Sequence, residues 1–150
     1  MIRKVSTSCT SSAYTTGMVV NGQLTIENVF NSNRLSPVLQ SVIVNDTTTA
    51  CPNLDLIFLD SAISTDVSTA LGDAVEITLA DADMDKIIGI VQITSFAHFA
   101  NNMIGFATAL ALPVSPAYVP SDKNLYFIPV VRGTSPVDWT SLSFTFNFVE

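Results

Sequence analysis

The densest chemistry in the chain is Asp81, Asp83 and Asp85, spaced by Ala82 and Met84 and followed by Lys86. Carboxylates at positions 1, 3 and 5 are how a calcium loop begins, but that loop also needs glycine at position 6 and a bidentate glutamate at position 12. Lys86 and Gln92 stand there instead. The pattern fits a short helix better, with Asp81 or Asp83 as its cap and the remaining carboxylates in the first turn, where the helix dipole favours negative charge. Nucleophilic catalysis requires a base beside a nucleophile. The single histidine, His98, lies between aromatics in Ser95-Phe96-Ala97-His98-Phe99, which reads as a histidine at a strand end. No GxSxG elbow accompanies it. The glycines are scattered singly, so no phosphate-cradling loop is formed. Cys9 and Cys51 make no CxxC unit and are distant from His98, so no zinc spacing arises, and both read as free thiols. Tyr14, Tyr118, Tyr126 and Trp139 would make a sugar-stacking platform if exposed; with one tryptophan, core or interface packing is the plainer role. No catalytic, metal-binding or cofactor-binding set emerges.

The charge distribution narrows the partners. Charged residues make up 13 % of the chain, against roughly 25 % in an average soluble protein. Polarity comes from Ser, Thr and Asn instead. Neutral polar surface defends poorly against association, so the composition suggests that part of it is covered in an assembly. Net charge is −7, and between Arg34 and Lys86 there is no basic residue while nine carboxylates fall there, from Asp46 to Asp85. Phosphate neutralisation needs clustered Lys and Arg, so nucleic acid is excluded as a direct partner. The start Met1-Ile2-Arg3-Lys4 is followed by Ser and Thr rather than an apolar signal-peptide core. The longest weakly polar run, Met103–Val114, has 12 residues where a membrane span needs about 20, so no membrane role is expected.

The elements that must position any site are strands. Leu142, Phe144, Phe146 and Phe148 alternate with Ser143, Thr145, Asn147 and Val149, the mark of a half-buried strand. Further strands are expected at Gln23–Phe30, Val38–Asn45, Leu54–Leu59, Val75–Leu79, Ile87–Phe96, Gly105–Leu112 and Leu125–Arg132, which are rich in Val, Ile, Thr and Phe. Helix is the rival for the Ala- and Leu-rich Gly105–Leu112. Asn21-Gly22 is a hairpin dipeptide, and Asn45-Asp46, Cys51-Pro52, Ser121-Asp122 and Arg132-Gly133 mark other breaks. Pro129 suggests an edge strand or a bulge. About eight strands, one short helix and no internal repeat predict an all-β domain over residues 14–150, a β-sandwich or a barrel, with the jelly roll as one form the sandwich could take. Residues 1–13, small and polar, are expected to form a flexible N-terminal arm.

Five strings carry a family resemblance: Tyr14–Val20 (YTTGMVV), Leu54–Asp60 (LDLIFLD), Leu79–Val91 (LADADMDKIIGIV), Leu125–Pro136 (LYFIPVVRGTSP) and Leu142–Val149 (LSFTFNFV). With these the chain resembles the small β-rich head decoration proteins of tailed bacteriophages, although Met18 stands where that family often has Asp. The resemblance implies a non-enzymatic capsid decoration or cement protein on the virion surface. The resemblance implies the major capsid protein and further copies of the chain as partners, with a homotrimer as the expected self-association. The competing expectation is a carbohydrate-binding or head-fibre host-attachment module with Trp139 and the tyrosines lining a groove. The residues expected at an interface are Arg3, Lys4 and Val5 in the arm, and Arg132, Gly133 and Trp139 in the turns near the C-terminal strand.

Overall fold

The computed structural model describes residues 1–9, 13–30, 37–50, 53–63, 72–114, 123–133 and 137–149. Cys51, Asp66, Tyr118, Pro136 and the turn dipeptides Cys51-Pro52 and Ser121-Asp122 lie outside them. Among the described residues there are ten strands and one short helix: β1 Ile2–Ser8, β2 Leu24–Ile26, β3 Val38–Asp46, β4 Leu54–Leu59, α1 Asp81–Met84, β5 Ile87–Ile93, β6 Ser95–His98, β7 Met103–Ala107, β8 Leu112–Pro113, β9 Leu125–Val131 and β10 Ser141–Val149. One sheet runs β1-β10-β3-β7-β6, with β8 also on β3, and the other runs β2-β9-β4-β5. All pairings are antiparallel. The pairs β1–β10, β2–β9, β3–β7 and β4–β5 are those of one long hairpin, and β10–β3 and β9–β4 are the contacts made when that hairpin rolls up. This is the jelly roll.

The two sheets meet through alternating apolar faces, as stacked sheets must. Leu142, Phe144, Phe146 and Phe148 of β10 and Leu39, Val42 and Val44 of β3 face Leu54, Leu56 and Phe58 of β4 and Leu125 and Phe127 of β9, all buried. Phe127 meets Phe144 and Phe146 edge-on at centroid distances of 5.1 and 5.0 Å. Such pairs add about 0.5–1.5 kcal/mol each beyond the area they bury. A second apolar cluster covers the far side of the four-stranded sheet, where Ile57, Leu59, Ile128 and Val130 pack with Val19 and Ile63 and with the partly buried Ile77 and Leu79. That second cover is why every residue of β4 and β9 is buried.

Several expectations change. Residues 2–8 are no flexible arm: β1 pairs with β10 from Ile2↔Asn147 to Ser8↔Ser141. Without it the long, Phe-rich β10 would leave a row of backbone groups unpaired, and this outweighs the polar composition. The expected strand Val75–Leu79 forms isolated bridges at Glu76 and Thr78 rather than a strand, Glu76 pairing with Met18, while its Ile77 and Leu79 cover the sheet. Ile87–Phe96 is split at Thr94, where the chain passes from one sheet to the other as β5 and β6. Gly105–Leu112 is split as well, with Ala109 in left-handed conformation at φ +56° between β7 and β8. Pro129 is on an inner strand with no bulge beside it. Its carbonyl accepts the Val20 N–H at 2.9 Å. In a strand N–H and C=O of one residue point the same way, so the missing donor faces away from β4 and costs that ladder nothing. In α1 the cap position is Ala80, with no side-chain cap, and the Asp83 carboxylate turns inward to Lys86 Nζ at 2.8 Å. Asn21 and Gly22 do take positive φ, +57° and +77°, as the hairpin dipeptide requires.

Candidate interaction surface

Strand pairing sets which residues share a face, because directly opposed residues point the same way. On the outer side of the larger sheet one row reads Lys4, Thr145, Ile43, Phe106, Ser95, and the next Ser6, Ser143, Asn45, Ile104, Ala97. Ile2, Asn147 and Ser41 extend the face at one end and Ser8 and Ser141 at the other. Four strand spacings make each row roughly 19 Å wide. Among the described residues Lys4 is the one charged side chain on this face. The hydroxyls satisfy one another across strands, Ser6 Oγ with Ser143 Oγ and Thr47 Oγ1 with Ser141 Oγ, both at 3.3 Å. Ile43 is 38 % exposed at its centre. The carboxylates gather elsewhere: Asp55 and Asp60 on and after β4, Glu76 beside Met18, and Asp81, Asp83 and Asp85 in and around α1, on chain bordering the smaller sheet.

The residues expected at an interface do not form one site. Lys4 lies on the neutral face. Arg3 and Val5 point to the opposite side of β1, because they oppose Phe146 and Phe144. Val5 packs against the core, and Arg3 Nη2 donates to the Asn28 carbonyl at 2.7 Å. Together with Lys4, Thr25 and Glu27 they line an open groove of about 430 Å³ between β1 and β2. Arg132 is committed to an ion pair, its Nε 2.7 Å from Asp55 Oδ2, and the Gly133 carbonyl accepts the Thr16 hydroxyl. Trp139 is 1 % exposed and is corrected from interface to core. Its burial, with that of Tyr14 at 0 % and Tyr126 at 9 %, also removes the sugar platform these residues would have formed. A large aromatic next to turn residues is compatible with either location, and the chain buries it because its N–H finds the Ala50 carbonyl, at 3.3 Å.

His98 ends β6, exposed, opposite Met103. Asp46 is buried, and both carboxylate oxygens accept from Thr48, through its N–H at 2.8 Å and its hydroxyl at 2.9 and 2.8 Å. Burial raises its pKa above the ordinary value and the Thr48 bonds partly offset that. The Cys9 thiol is free, and burial, with the Asp73 charge second, pushes its pKa up to about 11. A thiol so held is not a nucleophile at neutral pH.

No family model matches the chain, and no curated protein matches it. Among solved structures it is similar to a chain from one titled Desmodium yellow mottle tymovirus, at 13 % identity over 99 % of this chain and 78 % of that one, with a TM-score of 0.30. It is similar also to a chain from one titled turnip yellow mosaic virus, at 8 % identity over 99 % and 77 %, with a TM-score of 0.27. Likenesses this slight carry no weight for function.

Proposed function

We propose that this chain is a non-enzymatic structural protein of a virus particle, a decoration or cement protein that lies on the outer surface of a phage head and stabilises it. The observation that carries the proposal is the neutral outer face of the six-stranded sheet, where Lys4 is the one charge among the described residues of a chain of net charge −7. A protein with that much negative charge repels most acidic surfaces and its own copies, except across a face from which the acids are absent. Stable interfaces are depleted of charge at their centre, as this face is. The resemblance of five strings to head decoration proteins supports the same reading, and the jelly roll is an architecture that viral capsid and lectin domains use, although fold alone does not fix function. The partners on this reading are the major capsid protein and further copies of the chain.

The test places charge on the face without touching the core. Ser143→Glu with Thr145→Glu puts two carboxylates at its middle. In cosedimentation with heads lacking the protein, the variant is expected to lose binding while its unfolding midpoint stays near wild type. Retained binding would overturn the assignment of this face.

A further inference from the structure

At one end of the larger sheet the β6–β7 turn and the residues after β3 enclose a hollow of about 320 Å³. Its described lining is the apolar Ile104, the buried Met103 and the polar residues Asn45, Thr47 and Asn102. Phe99 lines it from the first position of the turn, directly after β6. The turn is closed by its own backbone, the Phe99 N–H to the Asn102 carbonyl at 2.9 Å and the Asn102 N–H to the Phe99 carbonyl at 3.4 Å. Nothing in that closure calls for an aromatic residue, and turns favour Gly, Asn, Asp or Ser. Yet Phe99 stands there 55 % exposed, the one aromatic among the strongly exposed large apolar residues that are described.

The chemistry of the lining selects a ligand class. Among the described residues no basic side chain lines the hollow, so they offer nothing to an anion. The one carboxylate, Asp46, is buried with both oxygens taken by Thr48, so it offers little to a cation. What remains among the described residues is two amides that each donate and accept, the Thr47 hydroxyl already shared with Ser141, and an exposed ring near the apolar Ile104. A neutral saccharide presents the complement: hydroxyls around its rim and a face of C–H groups that lies flat on an aromatic ring. Small-ligand sites combine apolar walls with a few placed polar groups in this way. We propose that this hollow binds a neutral saccharide, with Phe99 as its stacking surface and Asn45 and Asn102 as its hydrogen-bonding partners. This site is separate from the buried Tyr14 and Trp139, and the proposal goes beyond the particle reading without resting on it.

The experiment is a titration of the full isotope-labelled chain, followed by backbone amide resonances, with glucose, galactose, mannose and N-acetylglucosamine across the millimolar range. At least one sugar is expected to give saturable shifts confined to residues around Asn45 and 99–104. Phe99→Ala should abolish them, and Asn102→Ala should weaken binding by about tenfold, the loss of roughly one good hydrogen bond. Both variants change exposed turn positions, and an otherwise unchanged spectrum verifies their fold. Absence of saturable shifts with all four sugars overturns the proposal, as does binding that survives in Phe99→Ala. Shifts at these residues from the neutral tripeptide Gly-Asn-Gly but from none of the sugars would assign the hollow to peptide and overturn it equally.

Discussion

Trp139 packs against Tyr14 with ring centroids 5.4 Å apart and planes tilted by 32°. Each ring is fully buried and each polar tip is used, the indole N–H on the Ala50 carbonyl and the Tyr14 hydroxyl on Asp73 Oδ1 at 2.7 Å. The pair joins the chain before β10 to the segment entering the second sheet, where Tyr14 and Val137 also exchange backbone hydrogen bonds at 2.8 and 3.0 Å. Trp139→Ala is therefore expected to cost about 3–5 kcal/mol of stability, the range for deleting a large buried aromatic. Urea unfolding checks it, and a cost near zero would return Trp139 to the surface.

Removing residues 2–8 tests the role of β1. A flexible arm could be cut with little effect on the domain. A strand paired along its length with β10 cannot, because its loss bares one edge of β10 and the flanks of Phe144 and Phe146. The truncated chain is expected to lose its cooperative thermal transition or to unfold far below the full chain. For a domain of this size each lost kcal/mol lowers Tm by roughly 2–4 °C.

The extent of sequence legibility follows from these same residues. β10 and β4 are visible because their inward positions are apolar and, in β10, every second residue is polar. β1 is hidden because its inward positions hold Arg3, Val5 and Thr7, so the period-2 signal has one apolar residue in three. Pro129 reads as an edge residue because composition cannot tell which neighbour its missing donor would have faced. The neutral face is half legible, as Ser143, Thr145 and Asn147 alternate with the phenylalanines. What sequence cannot supply is that Ser6, Ser41, Asn45 and Ser95 come alongside, since those pairings span up to 137 positions. The Phe99 hollow is likewise made by two segments more than fifty positions apart in the chain.

The Arg132–Asp55 pair predicts an asymmetry. Asp55 is 9 % exposed in its side chain while Arg132 is 42 % exposed. Arg132→Ala strands a buried carboxylate and should cost about 1–3 kcal/mol, the penalty of leaving such a group unpaired. Replacing both residues by Ala should recover part of that loss, a coupling that a double-mutant cycle of urea midpoints measures.

Alkaline stability should depend on Cys9. Its pKa is raised from 9.0 to about 11 in the folded chain, so the native state holds the thiol proton more tightly than the unfolded one. The resulting stabilisation is complete below pH 9 and is lost as pH rises through about 11. Wild type should therefore lose more stability than Cys9→Ala over that interval, compared by unfolding midpoints at matched pH. Parallel curves would mean that the thiol titrates as it does in the unfolded chain.

The claim on which the functional account depends is that the neutral face of the larger sheet is the adhering surface of a particle protein. The direct measurement is high-resolution electron cryomicroscopy of purified particles from the genome that encodes this chain. The account predicts copies outside the capsid shell with the Lys4, Thr145, Ile43, Phe106, Ser95 row turned toward capsid protein or another copy. Particles without the chain, or copies held through the carboxylate-bearing side with that row facing solvent, would contradict it.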